Sequence, residues 1–148
     1  MIAREWLQRG LDAESPIDAL TNCWRGFNRL YAANQNIGDE RRKIRLYLDQ
    51  TISPQDAHAI LVKNDQACLY LLSKPVIDMR GTGRDTHSAI DAFLTKSEPK
   101  DKLAEIFMII YQVRCNLEHG DKSPSANRDI ELCRFSVPFV VEVLKRYA

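Results

Sequence analysis

One stretch of the chain concentrates the residue types that proton transfer and phosphate recognition need: Tyr111-Gln-Val-Arg-Cys-Asn-Leu-Glu-His-Gly-Asp-Lys122. His119 closes the most hydrophobic helical segment of the sequence. The partial negative charge at a helix C-terminus favours its imidazolium form, and a modest upward shift leaves the ring able to donate and to accept a proton near neutrality. Arg114 stays cationic and presents a planar fork of donors matched to phosphate oxygens. It interrupts apolar surroundings, a costly place for a charge unless an anion pairs with it. Asn116 adds a neutral donor and acceptor one turn before His119.

At roughly 100° per residue, Asn116 and His119 share a helix face, whereas Arg114 and His119 lie about 140° apart. They converge if the last turn unwinds, or if a neighbouring element or a second copy of the chain completes the cleft. A two-fold pair that packs these helix ends together would gather two sets of Arg114, Asn116 and His119 in one groove. Such a groove suits a phosphodiester. The competing reading pairs Arg114 with Glu118 four residues on, leaves His119 as a helix-end residue and makes Gly120 the C-cap.

The elements that would position these residues all read as helices. Ser15-Pro16 combines a serine N-cap with proline at the first helical position. It opens a segment whose Ile17, Leu20, Trp24, Phe27, Leu30 and Tyr31 recur at three- and four-residue steps. Asn34 to Gly38 ends it. Asp39 caps a basic segment over 40–49, and Ser53-Pro54 starts a helix running toward Leu72. The stretch from Ser73 to Asp85 is irregular. Asp85 or Thr86 caps a short helix through Leu94, Glu98-Pro99 starts the strongest helix, and a last one spans about Ser125 to Tyr147 with a kink expected at Pro138. The prediction is a single all-α domain over 1–148, a bundle of about five or six helices.

Charge and composition narrow the function. The 148 residues hold 21 Lys+Arg against 20 Asp+Glu, for a formal net charge of +1. That balance argues against a protein that coats nucleic acid indiscriminately through many phosphate contacts, while a local basic cleft remains open. The opening residues mix charged and apolar types without a long apolar core, so no signal peptide is expected. The longest apolar run, Ile106 to Tyr111, is far shorter than the ~20 residues of a membrane span. Scattered Cys23, Cys68, Cys115 and Cys133 suggest buried thiols in a reducing, cytoplasmic compartment. His58 and His87 lack partners at metal-ligand spacing and read as surface residues, and no metal or other cofactor is called for. Arg80-Gly-Thr-Gly-Arg84 lacks the phosphate-loop pattern. It reads as a plain loop, or as a hinge whose two arginines reach RNA phosphates. The basic run from Arg41 to Arg45 reads as a solvated face or as one wall of an RNA groove.

Arg114-Cys-Asn-Leu-Glu-His119 resembles the Arg-x4-His motif of the HEPN superfamily, and Gly120-Asp-Lys122 is similar to the continuation seen in several of its branches. Cys23-Trp-Arg-Gly-Phe-Asn-Arg-Leu-Tyr31 resembles the aromatic helix of those same branches. The resemblance implies an α-helical bundle that forms a homodimer through its motif helices. For active members it implies a metal-independent endoribonuclease. His119 would serve as general acid or base around the 2′-hydroxyl and the leaving oxygen, Arg114 would hold the scissile phosphate, and Asn116 would orient it. Lys122, Arg80 and Arg84 would bind the RNA. A defence or toxin setting, with a protein partner or antitoxin, belongs to the same expectation. So does the alternative of a catalytically silent scaffold that assembles with a larger effector.

Overall fold

The computed structural model describes residues 1–33, 38–118 and 127–148. Among them are eight helices: α1 (Ile2–Asp12), α2 (Pro16–Tyr31), α3 (Glu40–Thr51), α4 (Pro54–Lys63), α5 (Asp65–Leu72), α6 (His87–Thr95), α7 (Pro99–Glu118) and α8 (Asn127–Tyr147). The all-α expectation is met. The helix number rises from five or six to eight for two local reasons. The opening residues fold as α1. The segment read as one helix from Pro54 toward Leu72 breaks at Asn64, whose side-chain amide donates to Ile60 O at 2.9 Å and whose backbone leaves the helical region. A short polar side chain that bonds its own backbone in this way competes with the helix ladder. The stop expected at Asn34 and the start expected at Ser125 lie outside the described residues.

Caps set the starts. Ser15 Oγ accepts from Asp18 N at 3.1 Å, Asp39 Oδ1 from Arg42 N at 2.9 Å, and Ser53 Oγ from Asp56 N at 3.0 Å, each satisfying a donor that the first turn leaves open. Asp85 Oδ1 takes His87 N at 2.8 Å and so starts α6. This frees the Thr86 hydroxyl to accept from Val76 N at 2.8 Å. α8 runs on through Pro138.

α7 is the axis of the bundle and packs against α2, α3, α4, α5, α6 and α8. Leu103, Ile106, Phe107, Ile109, Ile110 and Val113 are buried along it. They meet Leu20, Trp24, Phe27 and Tyr31 of α2, as the periodicity of that segment predicts, in one contiguous core. Phe27 lies 5.0 Å from Phe107, 5.1 Å from Trp24 and 5.9 Å from Tyr47 between ring centroids. Each such buried ring contributes roughly 1.5–3 kcal/mol. α1 lies closely on α2 because two glycines allow it. A Cβ at Gly26 would come 2.9 Å from Ala3 O, and one at Gly10 would come 2.2 Å from Cys23 Sγ. This close seam carries Trp6 to the flank of α2.

Candidate functional site

Helical geometry divides the polar side chains of α7 between two opposite faces. Glu105, Gln112 and Asn116 fall on one stripe, and Arg114 lies about 180° from Glu105 around the axis. The stripe is buried, at 2%, 3% and 2% exposure, and its hydrogen-bonding capacity is used internally. Glu105 accepts both guanidinium nitrogens of Arg45, at 2.9 and 3.0 Å, and Lys96 Nζ at 2.7 Å. Burial raises its carboxyl pKa, but the hydrogen bonds and charges of Arg45 and Lys96 outweigh that and hold it below the usual range. Gln112 accepts from Arg41 at 3.4 Å and donates to Asn116 at 3.0 Å. Arg41 also lies 4.8 Å from the centre of the Tyr111 ring. Two members of the basic run, Arg41 and Arg45, are thus turned toward α7, although Arg45 still reaches solvent.

Asn116 donates to Ile77 O at 2.8 Å and accepts from Met79 N at 3.1 Å. Its amide is therefore committed to the loop before α6. The side chain expected to orient the phosphate is thus buried and already bonded to this loop. Between the two clamped residues sits Asp78, whose side chain is inaccessible to solvent. Its carboxylate holds Arg80 through the backbone N at 3.0 Å, Nε at 3.1 Å and Nη2 at 2.8 Å, and takes the Thr82 hydroxyl at 3.0 Å. The Arg80 hydrogen bonds keep the Asp78 carboxyl far below the ordinary range. Backbone bonds from Asp78 N to Arg84 O and from Thr86 N to Val76 O close the loop. Gly81 and Gly83 turn it at φ +77°, a region costly for side chains with a Cβ. Arg80 and Arg84 thus sit on a pinned turn: Arg80 is fixed and half-exposed, and Arg84 is exposed.

On the other face, Arg114 is partly exposed, at 22%, and pairs with Glu118 at 2.6 Å, as the competing reading of the sequence has it. It borders two adjoining concavities. One, of about 240 Å³, is lined by Thr21, Arg25, Arg114, Leu117 and Glu118. The other, of about 360 Å³, adds Ile2, Trp6, Asn28 and Arg29 to Arg25 and Arg114. Arg114 and Glu118 thus bring the last turn of α7 into an arginine-lined cleft, and His119 is the next residue of the chain. His119 and Lys122 lie outside the described residues.

Cys115 is half-buried, and burial pushes its thiol up despite the Tyr111 hydroxyl and the charges of Arg114 and Arg41. It stays protonated near neutrality and is no ready nucleophile. Cys23 and Cys68 are pushed up to about 11 and Cys133 to about 12 by burial, in keeping with their reading as buried thiols. His58 and His87 are exposed, and His87 pairs with Asp91 at 3.0 Å. A concavity of about 460 Å³ between α4, α5 and α6 is lined by Leu61, Val62, Leu69, Leu72 and Phe93 and holds none of the motif residues. Among the described residues no group of three or more His, Cys, Asp or Glu is placed to hold a metal ion, and no helix is long and apolar enough to cross a membrane.

Sequence reasoning missed Arg25, Arg29 and Asp78. The first two were findable: they stand four apart on the polar side of the aromatic segment, pointing where its apolar stripe does not. Asp78 was not, since its partner is set by the turn geometry of the loop. No family model matches the chain, and no curated protein or solved structure matches it.

Proposed function

We propose that the protein is a metal-independent endoribonuclease of HEPN type that cleaves single-stranded or loop RNA. The observation that carries this reading is the placement of Arg114: the arginine of the Arg-x4-His motif lies at the border of an arginine-lined cleft, five residues before His119. In this mechanism the Arg114 guanidinium leaves the exposed Glu118 for the scissile phosphate, an exchange that costs little because an i,i+4 pair with an exposed member is worth on the order of 0.5 kcal/mol. His119 takes the proton of the ribose 2′-hydroxyl, which attacks its own phosphorus. The bond between phosphorus and the 5′-oxygen breaks, that oxygen takes a proton from water, His119 returns its own to solvent, and a 2′,3′-cyclic phosphate remains. A nucleophile supplied by the substrate needs no metal-bound water. Unpaired segments are the targets because their sugars and bases are accessible. A homodimer joining two motif helices would give a groove two copies of each group.

The test is incubation of the purified protein with unpaired RNA in excess chelator. Cleavage leaving 2′,3′-cyclic phosphate ends, lost in His119→Ala and Arg114→Ala, is the expected result. RNA left intact across substrates and pH values contradicts it. The full engagement of Asn116 and the pairing of Arg114 favour a second reading, a silent helical module that binds an effector. Intact RNA together with a stable protein complex would select that one.

A further inference from the structure

Arg25 and Arg29 are exposed on α2, four residues apart, and line the cleft beside Arg114. Among the described residues neither forms an ion pair, whereas Arg45, Lys63, Arg80, Arg134 and Arg146 all have carboxylate partners. Arg25 is held instead by an aromatic ring, its guanidinium carbon 5.1 Å from the centre of Trp6. A ring restrains the guanidinium without occupying its N–H donors, as a carboxylate would. Two unpaired cations side by side repel each other, and an anion bridging them removes that penalty. Asn28, in the same concavity, adds a neutral polar side chain. Arg25 and Arg29 are separated by about 6 Å along the helix axis, a step of the size of one nucleotide in an extended strand. Because Arg25 and Arg114 border both concavities, the concavities form one track rather than two pockets.

We propose that Arg25 and Arg29 bind successive backbone phosphates of an unpaired RNA strand and lead it to Arg114, with Trp6 as the positioning residue for Arg25. This rests on the nuclease reading and extends it by naming the strand's path. A positively charged groove that tracks the backbone is how proteins hold single strands without reading their sequence.

Binding is measured separately from cutting, by fluorescence anisotropy of a labelled unpaired oligoribonucleotide with 2′-O-methyl sugars, which cannot undergo 2′-attack. Arg25→Glu with Arg29→Glu should weaken binding at least tenfold and reduce the salt dependence by about two charges. Lys74→Glu with Lys145→Glu, an equal change of charge at exposed positions elsewhere, should stay within about twofold. Trp6→Leu should weaken binding a few-fold and Arg25→Lys less than Arg25→Glu. Wild-type affinity in the Arg25/Arg29 double variant overturns the proposal and leaves the nuclease reading standing. Unchanged RNA affinity with an altered solution mass also overturns it and makes the cleft a contact between subunits. Failure of the wild-type protein to bind the oligonucleotide overturns both. Loss of binding in the double variant of a protein that never cuts unmodified RNA supports the strand path and sinks the nuclease.

Discussion

The two faces of α7 handle charge in opposite ways. On one, Glu105 is buried and saturated by Arg45 and Lys96, and Gln112 and Asn116 continue the same closed network into the loop of Asp78 and Arg80. Beside the other, Arg25 and Arg29 of α2 have no carboxylate partner among the described residues, and Arg114 pairs only with the exposed Glu118. A buried charge left alone is expensive, so a protein must satisfy it internally. An exposed arginine can wait for a ligand at little cost. On the proposed function, the contrast separates scaffold from working surface. Changes to the network should alter stability and spare RNA, and changes to the cleft should do the reverse.

The largest effect is expected in the cleft. Arg114→Ala should lower RNA cleavage by about 10²-fold or more, as loss of a donor aimed at developing charge does. Its urea midpoint should barely move, since the Glu118 pair contributes less than about 1 kcal/mol. A collapse in stability would place Arg114 in the scaffold instead.

Next comes Glu105→Ala. It strands Arg45 and Lys96, and chemical denaturation should show a loss of about 2–3 kcal/mol. That is below the usual cost of breaking a fully buried pair because both cations reach solvent. RNA affinity should hold within about twofold. Asn116→Ala releases Ile77 O and Met79 N and should cost about 1–3 kcal/mol, with trypsin cutting after Arg80 or Arg84 faster than in the parent. A loop no easier to cut would mean that Asn116 does not clamp it.

Acid should dissolve the same network. Asp78 and Glu105 are held below their ordinary range when folded, so the unfolded chain takes up protons first as pH falls. Their contribution is complete above the unfolded values near pH 4 and is lost as pH drops through the lower folded ones. Urea midpoints measured from pH 6 to pH 3 should therefore fall, and fall less steeply in Asp78→Asn. An equal slope in the variant would remove Asp78 from this role. The smallest change expected is in Glu118→Gln. It frees Arg114 of a competitor worth ~0.5 kcal/mol and should tighten RNA binding about twofold. Weaker binding would show that Glu118 holds Arg114 in place rather than competing for it.

Much of the scaffold was legible because its signals are local. Ser15-Pro16, Asp39 and Ser53-Pro54 mark helix starts within three residues of the donors they satisfy, and the stripes of α2 and α7 repeat with the helix period. The break at Asn64 was less visible because the apolar pattern runs across it and only one side-chain bond decides it. At the site, spacing marked the pair of Arg114 with Glu118, as the competing reading had it. The partners of Asn116, Ile77 and Met79, were not legible because they are almost forty residues away in sequence. Arg25 and Arg29 carry a signal, but one identical to that of any solvated helix face. It gains meaning only when α1 and the end of α7 close around them.

The central claim is 2′-hydroxyl attack at the end of α7, and a substrate altered at one atom tests it most directly. Once the cleavage position of an unpaired RNA is mapped, the same RNA is prepared with a single 2′-deoxyribose on the 5′ side of that bond. The expected result is unchanged binding and no cut at that bond, with neighbouring bonds still open to attack. A deoxy substrate cut there at the parent rate, or a parent RNA that is never cut, would contradict the claim.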